Sequence, residues 1–313
     1  MSEVSDQAQA ETGSRPDLSI LIVTYNSAGT IRACVESVVA DLSGLEAEII
    51  IVDNHSGDST ANLLEDLKQI YPDLILILNK HNRGFALGNN QALSHASGQD
   101  IFILNPDTVV HAGTIPGLLK ALRGNEKTGV TAPRMQFPDG RIQYTCRRFP
   151  THMDVVYHSL GLAQLFPGGP KFNGWKMGDF DHLSARQVDQ PAGAALMVRG
   201  DILRDLEGFD PNFPMFFNDV DLCKRIKDAG YEIWFLPEFV VDHEGGVSVK
   251  QVKLKMTMSS HVSFFRYFEK HFTRLHQQPL NFIVGILLYL SLIPRLIWLF
   301  ISSRLNRPTR DTL

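Results

Sequence analysis

Leu18-Ser-Ile-Leu-Ile-Val-Thr-Tyr-Asn26 is a short run of aliphatic and β-branched residues that ends on polar ones. Such a run predicts a buried strand over 18–24, and Ile31, Val35, Val38, Val39 and Leu42 follow it at helical spacing. The same unit repeats outward from there. Strands are expected at 48–52, 74–78 and 100–104, with helices at 56–70 and 85–96 between them. Strands alternating with helices over short links imply a mostly parallel sheet with right-handed crossovers. Sheets of this kind bind ligands beyond the carboxyl ends of their strands. The alternation stops after Pro133. Residues 137–189, rich in Gly, Pro and aromatics, read as a long insertion or flexible loop over the site. Order returns with a strand near 194–198, a helix at about 219–229 and a strand at 232–236.

At 313 residues, 44 % hydrophobic and 20 % charged, the chain has material for one large α/β domain with an appendage. Its formal charge of −4 is unevenly spread, because ten Lys and Arg stand against two acids from Lys250 onward. The body is therefore acidic, which argues against nucleic acid as a partner, while the basic end suits anionic lipid. Cys34, Cys146 and Cys223 are too scattered for a disulfide framework or a zinc site, as in a reducing compartment. The N-terminus to about Asp17 is polar, lacks the pattern of a secretory signal and reads as a mobile tail.

Four strand ends carry polar residues: Thr24-Tyr25-Asn26, Asp53-Asn54, Asn79 with Asn82-Arg83-Gly84, and Asn105-Pro106-Asp107. Singly, each is explained by turns and helix caps. Four in register along one sheet point to a ligand, since such an acid can accept from a ribose or bind a hydrated cation. The phosphate-binding Gly-x-x-x-x-Gly-Lys and Gly-x-Gly-x-x-Gly patterns are absent. A second acidic cluster, Asn218-Asp219-Val220-Asp221, precedes a helix. Carboxylates at i and i+2 do not face one way on a helix. Asp221 suits a structural place in the first turn and Asp219 is freer to meet a substrate, although both can be caps on local sequence alone. His243, before Gly245-Gly246, can ligate a metal or contact a phosphate.

The ordered series SILIVTYN, IIIVDNHSGDST, NRGFALGNNQAL, ILNPDT, GFDPNFPMFFNDVDLCKRIKDAG and VVDHEGGVS, over about residues 18–272, resembles glycosyltransferase family 2, in its bacterial rhamnosyltransferase-like branch. The resemblance implies a Rossmann-like, A-type nucleotide-diphospho-sugar transferase fold. It implies an inverting transfer of a sugar, L-rhamnose from dTDP-L-rhamnose or else a UDP-sugar, to a glycan or polyprenyl-linked acceptor in cell-surface polysaccharide synthesis. Carried over by motif, Thr24, Tyr25, Asn26, Asp53, Asn82, Gly84 and Asn105 border the nucleotide-sugar. Asp107 holds Mg²⁺ or Mn²⁺ with His243 assisting, Asp219 is the base, and Gly193 and Ala194 face the acceptor. Asn105 stands where the family's metal motif usually has Asp, and Asn218 where it often has Glu. Two rival classes are a sugar-phosphate nucleotidyltransferase and a non-catalytic membrane-attached carbohydrate-binding protein. The first would want a basic Gly-rich loop after the first strand, and Thr24-Tyr-Asn-Ser27 lacks one.

Residues 282–301 are almost wholly apolar, with Pro294-Arg295 inside. Their length is near the ~20 residues of a bilayer span. Arg in mid-span costs ~2.5 kcal/mol or more and Pro permits a break, so a re-entrant or in-plane membrane helix is expected, with a dimer-forming or core helix as the alternative. The expected organisation is a disordered tail over 1–17, a catalytic domain over 18–260 (nucleotide half 18–110, acceptor half 111–260) and a helical, membrane-associated segment over 261–313. The implied location is the cytoplasmic face of the bacterial inner membrane, or the cytoplasm, with a homo-oligomer allowed.

Overall fold

The computed structural model describes residues 15–42, 44–245 and 253–305. Strands β1 (Leu18–Thr24), β2 (Ala47–Asp53), β3 (Ile75–Leu78) and β4 (Asp100–Leu104) run parallel in the spatial order β3-β2-β1-β4. They are linked by α1 (Ile31–Asp41), α2 (Thr60–Ile70) and α3 (Phe85–Leu93). β1 is buried along its whole length, which is why it is aliphatic on both faces. Ile20, Ile22 and Phe102 fill the core on one side of the sheet, and Leu21, Val23 and Ile103 on the other.

The alternation outlasts the sequence reading. β5 (Thr108–Val110), α4 (Thr114–Arg123) and β6 (Thr128–Gln136) follow without interruption. Pro133, where regularity was expected to end, lies within β6 at a register shift against β9 (Glu232–His243), the kind of irregularity that tolerates a strand residue without an N–H. The expected insertion holds short elements: α5 (His152–Ser159), α6 (Leu162–Leu165) and β7 (Arg186–Gln187). The remainder is β8 (Ala195–Arg199), α7 (Gly200–Asp205), α8 (Asn218–Asp228), α9 (Lys253–His271) and α10 (Gln278–Leu305).

The sheet order is β3-β2-β1-β4-β8-β6-β9-β5, with β7 beside β9. β8 is antiparallel to both β4 and β6, and β5 and β7 are antiparallel to β9; the other strands point one way. Because β8 runs backwards, residues 190–194 enter it at the edge where β1, β2, β4 and β9 end. Leu104 at the end of β4 pairs with Ala195 at the start of β8. All the polar strand ends and this loop thus share one rim.

The C-terminal helices are packed into the body. Tyr267 and Phe268 of α9 are fully buried in a cluster with Val284 and Leu288 of α10, Val155 of α5, and Phe213 and Val220. A Cβ at Gly285 would lie 2.8 Å from the Phe265 ring, so α9 and α10 are in close contact there. The other side of α10 presents Phe282, Ile286, Tyr289 and Leu290 to solvent. Residues Leu275–Ile293 are long and apolar enough to cross a membrane. Helix α10 continues through Pro294 and Arg295, so no re-entrant turn falls there; proline removes one helical hydrogen bond and need not end the helix. Of the expected tail, residues 1–14 lie outside the described residues. Arg15 and Asp17 are anchored, Arg15 Nε donating to Ser97 O at 2.7 Å and Asp17 pairing with Arg123 at 2.8 Å. Gly246, Val247 and Ser248 of the last motif also lie outside the described residues.

Candidate active site

A cleft of about 240 Å³ opens on the shared rim, walled by the ends of β1 and β4, the turn before α3, Met215 and His243. Of the expected nucleotide-sugar residues, Thr24, Tyr25, Asn26, Asn82, Gly84 and Asn105 line it, together with Asp107. Asp53 stands behind the wall. Its carboxylate accepts from Thr24 Oγ1 at 2.9 Å, Ser56 N–H at 2.9 Å and Ser56 Oγ at 2.5 Å, and it is only 2 % exposed. Asp53 therefore fixes the β1 and β2 ends.

Asn26 has φ 52°, left-handed geometry that asparagine accepts more readily than most residues. Its N–H donates to Ser56 Oγ at 2.8 Å, and its Oδ1 accepts from Gly57 N–H at 2.7 Å. At the other side of the cleft Gly84 has φ 83°, and a Cβ there would lie 3.2 Å from Pro214 O. That carbonyl accepts from Phe85 N–H at 3.0 Å, tying the start of α3 to the segment before α8. Asn82 Oδ1 accepts from Gly84 N–H at 2.8 Å, closing this turn.

Asp107 and His243 meet where β5 pairs with β9, Asp107 Oδ1 lying 3.5 Å from His243 Nε2. The ring is oriented by Gln143, which belongs to no motif legible in the sequence. Gln143 Nε2 donates to His243 O at 2.5 Å, so its Oε1 faces His243 Nδ1, 3.0 Å away. Nδ1 then carries a proton, and Nε2 is turned toward the Asp107 carboxylate. A carboxylate oxygen and an imidazole nitrogen 3.5 Å apart are a ligand pair that suits a shared divalent cation when the ring nitrogen is unprotonated. Beside them the side-chain oxygen of Asn105 is buried without a hydrogen-bond partner among the described residues. The donor set fits a divalent ion completed by ligand oxygens; no group of three His, Cys, Asp or Glu ligands occurs among the described residues.

Asp219 lies outside the cleft wall, in the first turn of α8. Its Oδ2 accepts from Gly193 N–H and from Gln190 Nε2, both at 3.0 Å, and its Oδ1 accepts from Val220 N–H at 2.9 Å. Burial raises this carboxyl above its ordinary range, against the pull of those hydrogen bonds. Ala194 is buried rather than open to a ligand, and its carbonyl accepts from Asn105 N–H at 2.8 Å. Residues 193 and 194 thus connect Asp219 to the Asn105-Pro106-Asp107 end of β4.

Asp221 is fully buried, as a structural residue would be, but more than the helix dipole holds it. Arg225 reaches it at 2.8 Å, Lys270 at 2.6 Å and His271 at 2.8 Å, the last two from α9. These partners keep its carboxyl below the usual range although burial opposes them. The α8–α9 pairing spans about fifty residues of sequence and has no local signature.

Residues 19–178 match the family model described as glycosyl transferase family 2. The N-acetylglucosaminyl-diphospho-decaprenol L-rhamnosyltransferase of Mycobacterium tuberculosis is 24 % identical over 275 residues, 84 % of this chain and 88 % of that one. The rhamnosyltransferase WbbL of Escherichia coli is 27 % identical over 233 residues, 72 % of this chain and 82 % of that one. In fold, the chain is similar to a mannosyltransferase from Pyrobaculum calidifontis solved with GDP-Man and Mn²⁺. The TM-score is 0.56 at 18 % identity, covering 94 % of this chain and 77 % of that one.

Proposed function

The chain belongs to glycosyl transferase family 2, and from that premise we propose that it moves L-rhamnose from dTDP-L-rhamnose to a hydroxyl of a polyprenyl-diphosphate-linked sugar, inverting the anomeric centre, in cell-surface polysaccharide synthesis. Two relatives named as rhamnosyltransferases, one for a diphospho-decaprenol sugar, support donor and acceptor. The observation that carries the chemistry is the short backbone link between two functional groups. Gly193 N–H holds Asp219, and Ala194 O, one residue on, holds the strand end that bears Asp107.

In this reading Asp219 takes the acceptor hydroxyl proton while that oxygen bonds to the anomeric carbon and the bond to the donor diphosphate breaks. A raised carboxyl suits the task, since a base with pKa nearer neutrality accepts the proton more readily. Thr24, Tyr25, Asn26, Asn82, Gly84 and Asn105 border the nucleotide-sugar, with Asp53 acting through the Thr24 and Ser56 contacts. Asp107 and His243 would hold Mg²⁺ or Mn²⁺. A bound divalent cation supplies positive charge for the departing diphosphate; Gln143 keeps the His243 ring turned for it. Residues 18–110 form the nucleotide half and 111–260 the acceptor half. The exposed apolar side of α10, with the groove of about 490 Å³ between α9 and α10, rests on the cytoplasmic face of the inner membrane. There a lipid-linked acceptor is within reach.

The test is release of nucleoside diphosphate by purified protein from a panel of dTDP-, UDP- and GDP-sugars with a lipid-diphosphate-linked acceptor. Turnover of dTDP-L-rhamnose with formation of the opposite anomer is expected. Turnover of another donor alone, or retention of configuration, would overturn that part of the reading.

A further inference from the structure

Arg147 is a half-buried cation that the chemistry above leaves unused. Its backbone N–H and C=O exchange hydrogen bonds with Gln190, at 2.7 and 3.0 Å. Gln190 in turn donates to Asp219 through its side chain. Arg147 is therefore one residue-pair away from the base.

The segment that presents it is fixed from behind. His182 is fully buried, and its Nε2 accepts from Cys146 N–H at 3.0 Å while its Nδ1 donates to Phe180 O at 3.1 Å. Burial pulls this imidazole down, which favours the neutral ring that those two contacts require. The ring packs against Phe180, Tyr144 and Phe235, with centroids 4.4, 5.2 and 5.3 Å away.

The guanidinium itself is half engaged. Nη1 donates to Tyr144 O at 2.6 Å and Cys146 O at 2.8 Å, and no carboxylate of the described residues forms an ion pair with it. Asp219 acts on it electrostatically without pairing, and burial leaves the cation below its ordinary pKa. A guanidinium with one nitrogen pinned to carbonyls offers Nε and Nη2 as a fork for an oxyanion. The oxyanion must come with the substrate whose hydroxyl Asp219 deprotonates, or with the donor.

We propose that Arg147 is the acceptor's anion-recognition residue, its free guanidinium edge taking a phosphate oxygen of the diphosphate through which the acceptor sugar is joined to its lipid. The inference rests on the acceptor class proposed above and adds the contact that selects it. The donor also carries a diphosphate, but its proposed cation site is formed by Asp107 and His243, neither of which contacts Arg147.

The experiment compares two acceptors with one donor: an isoprenyl-diphospho-N-acetylglucosamine and a neutral alkyl N-acetylglucosaminide of matched length. Charge-assisted hydrogen bonds predict that wild-type kcat/KM favours the diphosphate acceptor by roughly tenfold or more, chiefly through KM. In Arg147→Gln that preference should shrink to about twofold or less, while Arg147→Lys, keeping charge without the fork, should recover part of it. Arg147→Lys also serves if the Gln variant proves poorly folded by its thermal midpoint. A preference that survives in both variants overturns the inference alone. So does a rise in donor KM with the acceptor preference intact, because the anion recognised is then the donor's. A wild-type enzyme that glycosylates neither acceptor overturns the acceptor class and the inference with it.

Discussion

A Cβ built on Gly193 would stand 2.8 Å from the Cβ of Asp219, so the loop and the start of α8 touch with room for a hydrogen atom only. Gly193→Ala must push the carboxylate away. Misplacement of a reacting group by about 1 Å can cost ~10²-fold in rate. The expected result is a kcat loss of that order with donor KM little changed. A Gly193→Ala enzyme with wild-type kcat would show that Asp219 is not where the proton goes.

As the proposed base, Asp219 should also set the acid limb of the pH profile. A base works only when ionised, and burial raises this carboxyl, so kcat/KM should fall at a pH above the range where exposed aspartates protonate. Asp219→Asn should abolish the limb and lower turnover by ~10²–10⁴-fold. The same shift has a stability sign: folding favours the protonated form, so this group's stabilising contribution is present at acid pH and is lost as pH rises through its folded value. A profile flat down to the ordinary aspartate range counts against the assignment.

Asp107→Ala should eliminate metal-stimulated turnover, and Gln143→Leu should weaken Mn²⁺ binding by ~10–100-fold, since the ring of His243 loses the group that fixes its tautomer. Calorimetric titration of Mn²⁺ in the presence of nucleoside diphosphate reads both. Full activity in excess chelator would remove the cation from the mechanism.

The contrast between His243 and Gln143 shows what the sequence could tell. β1 to β4 and their polar ends are legible because the signal is local: an aliphatic run, a polar stop, then helical spacing. His243 and Asp219 were reachable through motifs. Gln143, Arg147 and the α9 partners of Asp221 were not, because each acts through a contact made only when distant segments fold together. β6 is hidden for another reason, as Pro133 reads locally as a breaker while a register shift absorbs it.

Asp221→Asn tests one such distant contact. A helix-dipole role alone would make the loss roughly 1 kcal/mol or less. With Arg225, Lys270 and His271 all on the buried carboxylate, the expected loss is about 3 kcal/mol or more, because cations are left without their counter-charge. Urea denaturation measures it, and a loss under about 1 kcal/mol returns Asp221 to the simpler role.

Deleting residues 281–313 is a poor test of membrane attachment, since it takes Val284 and Leu288 out of the core shared with Tyr267 and Phe268. Such a truncation is expected to lose stability. The double variant Phe282→Asp, Tyr289→Asp alters only exposed positions, 70 % and 66 % accessible. It should weaken co-sedimentation with anionic vesicles by roughly tenfold or more while nucleotide binding persists. Unchanged sedimentation would place the attachment elsewhere.

Asp221 follows Asp219 by two residues and is gripped by Lys270 and His271, while α9 packs tightly on α10. On the proposed attachment of α10 to a bilayer, the standoff between lipid surface and proposed base would be set by a braced frame and not by a swinging joint. The protein would then act as a height gauge: a hydroxyl would be glycosylated when its carrier's headgroup holds it at that level, and sugars mounted lower or higher on the same lipid would pass unmodified.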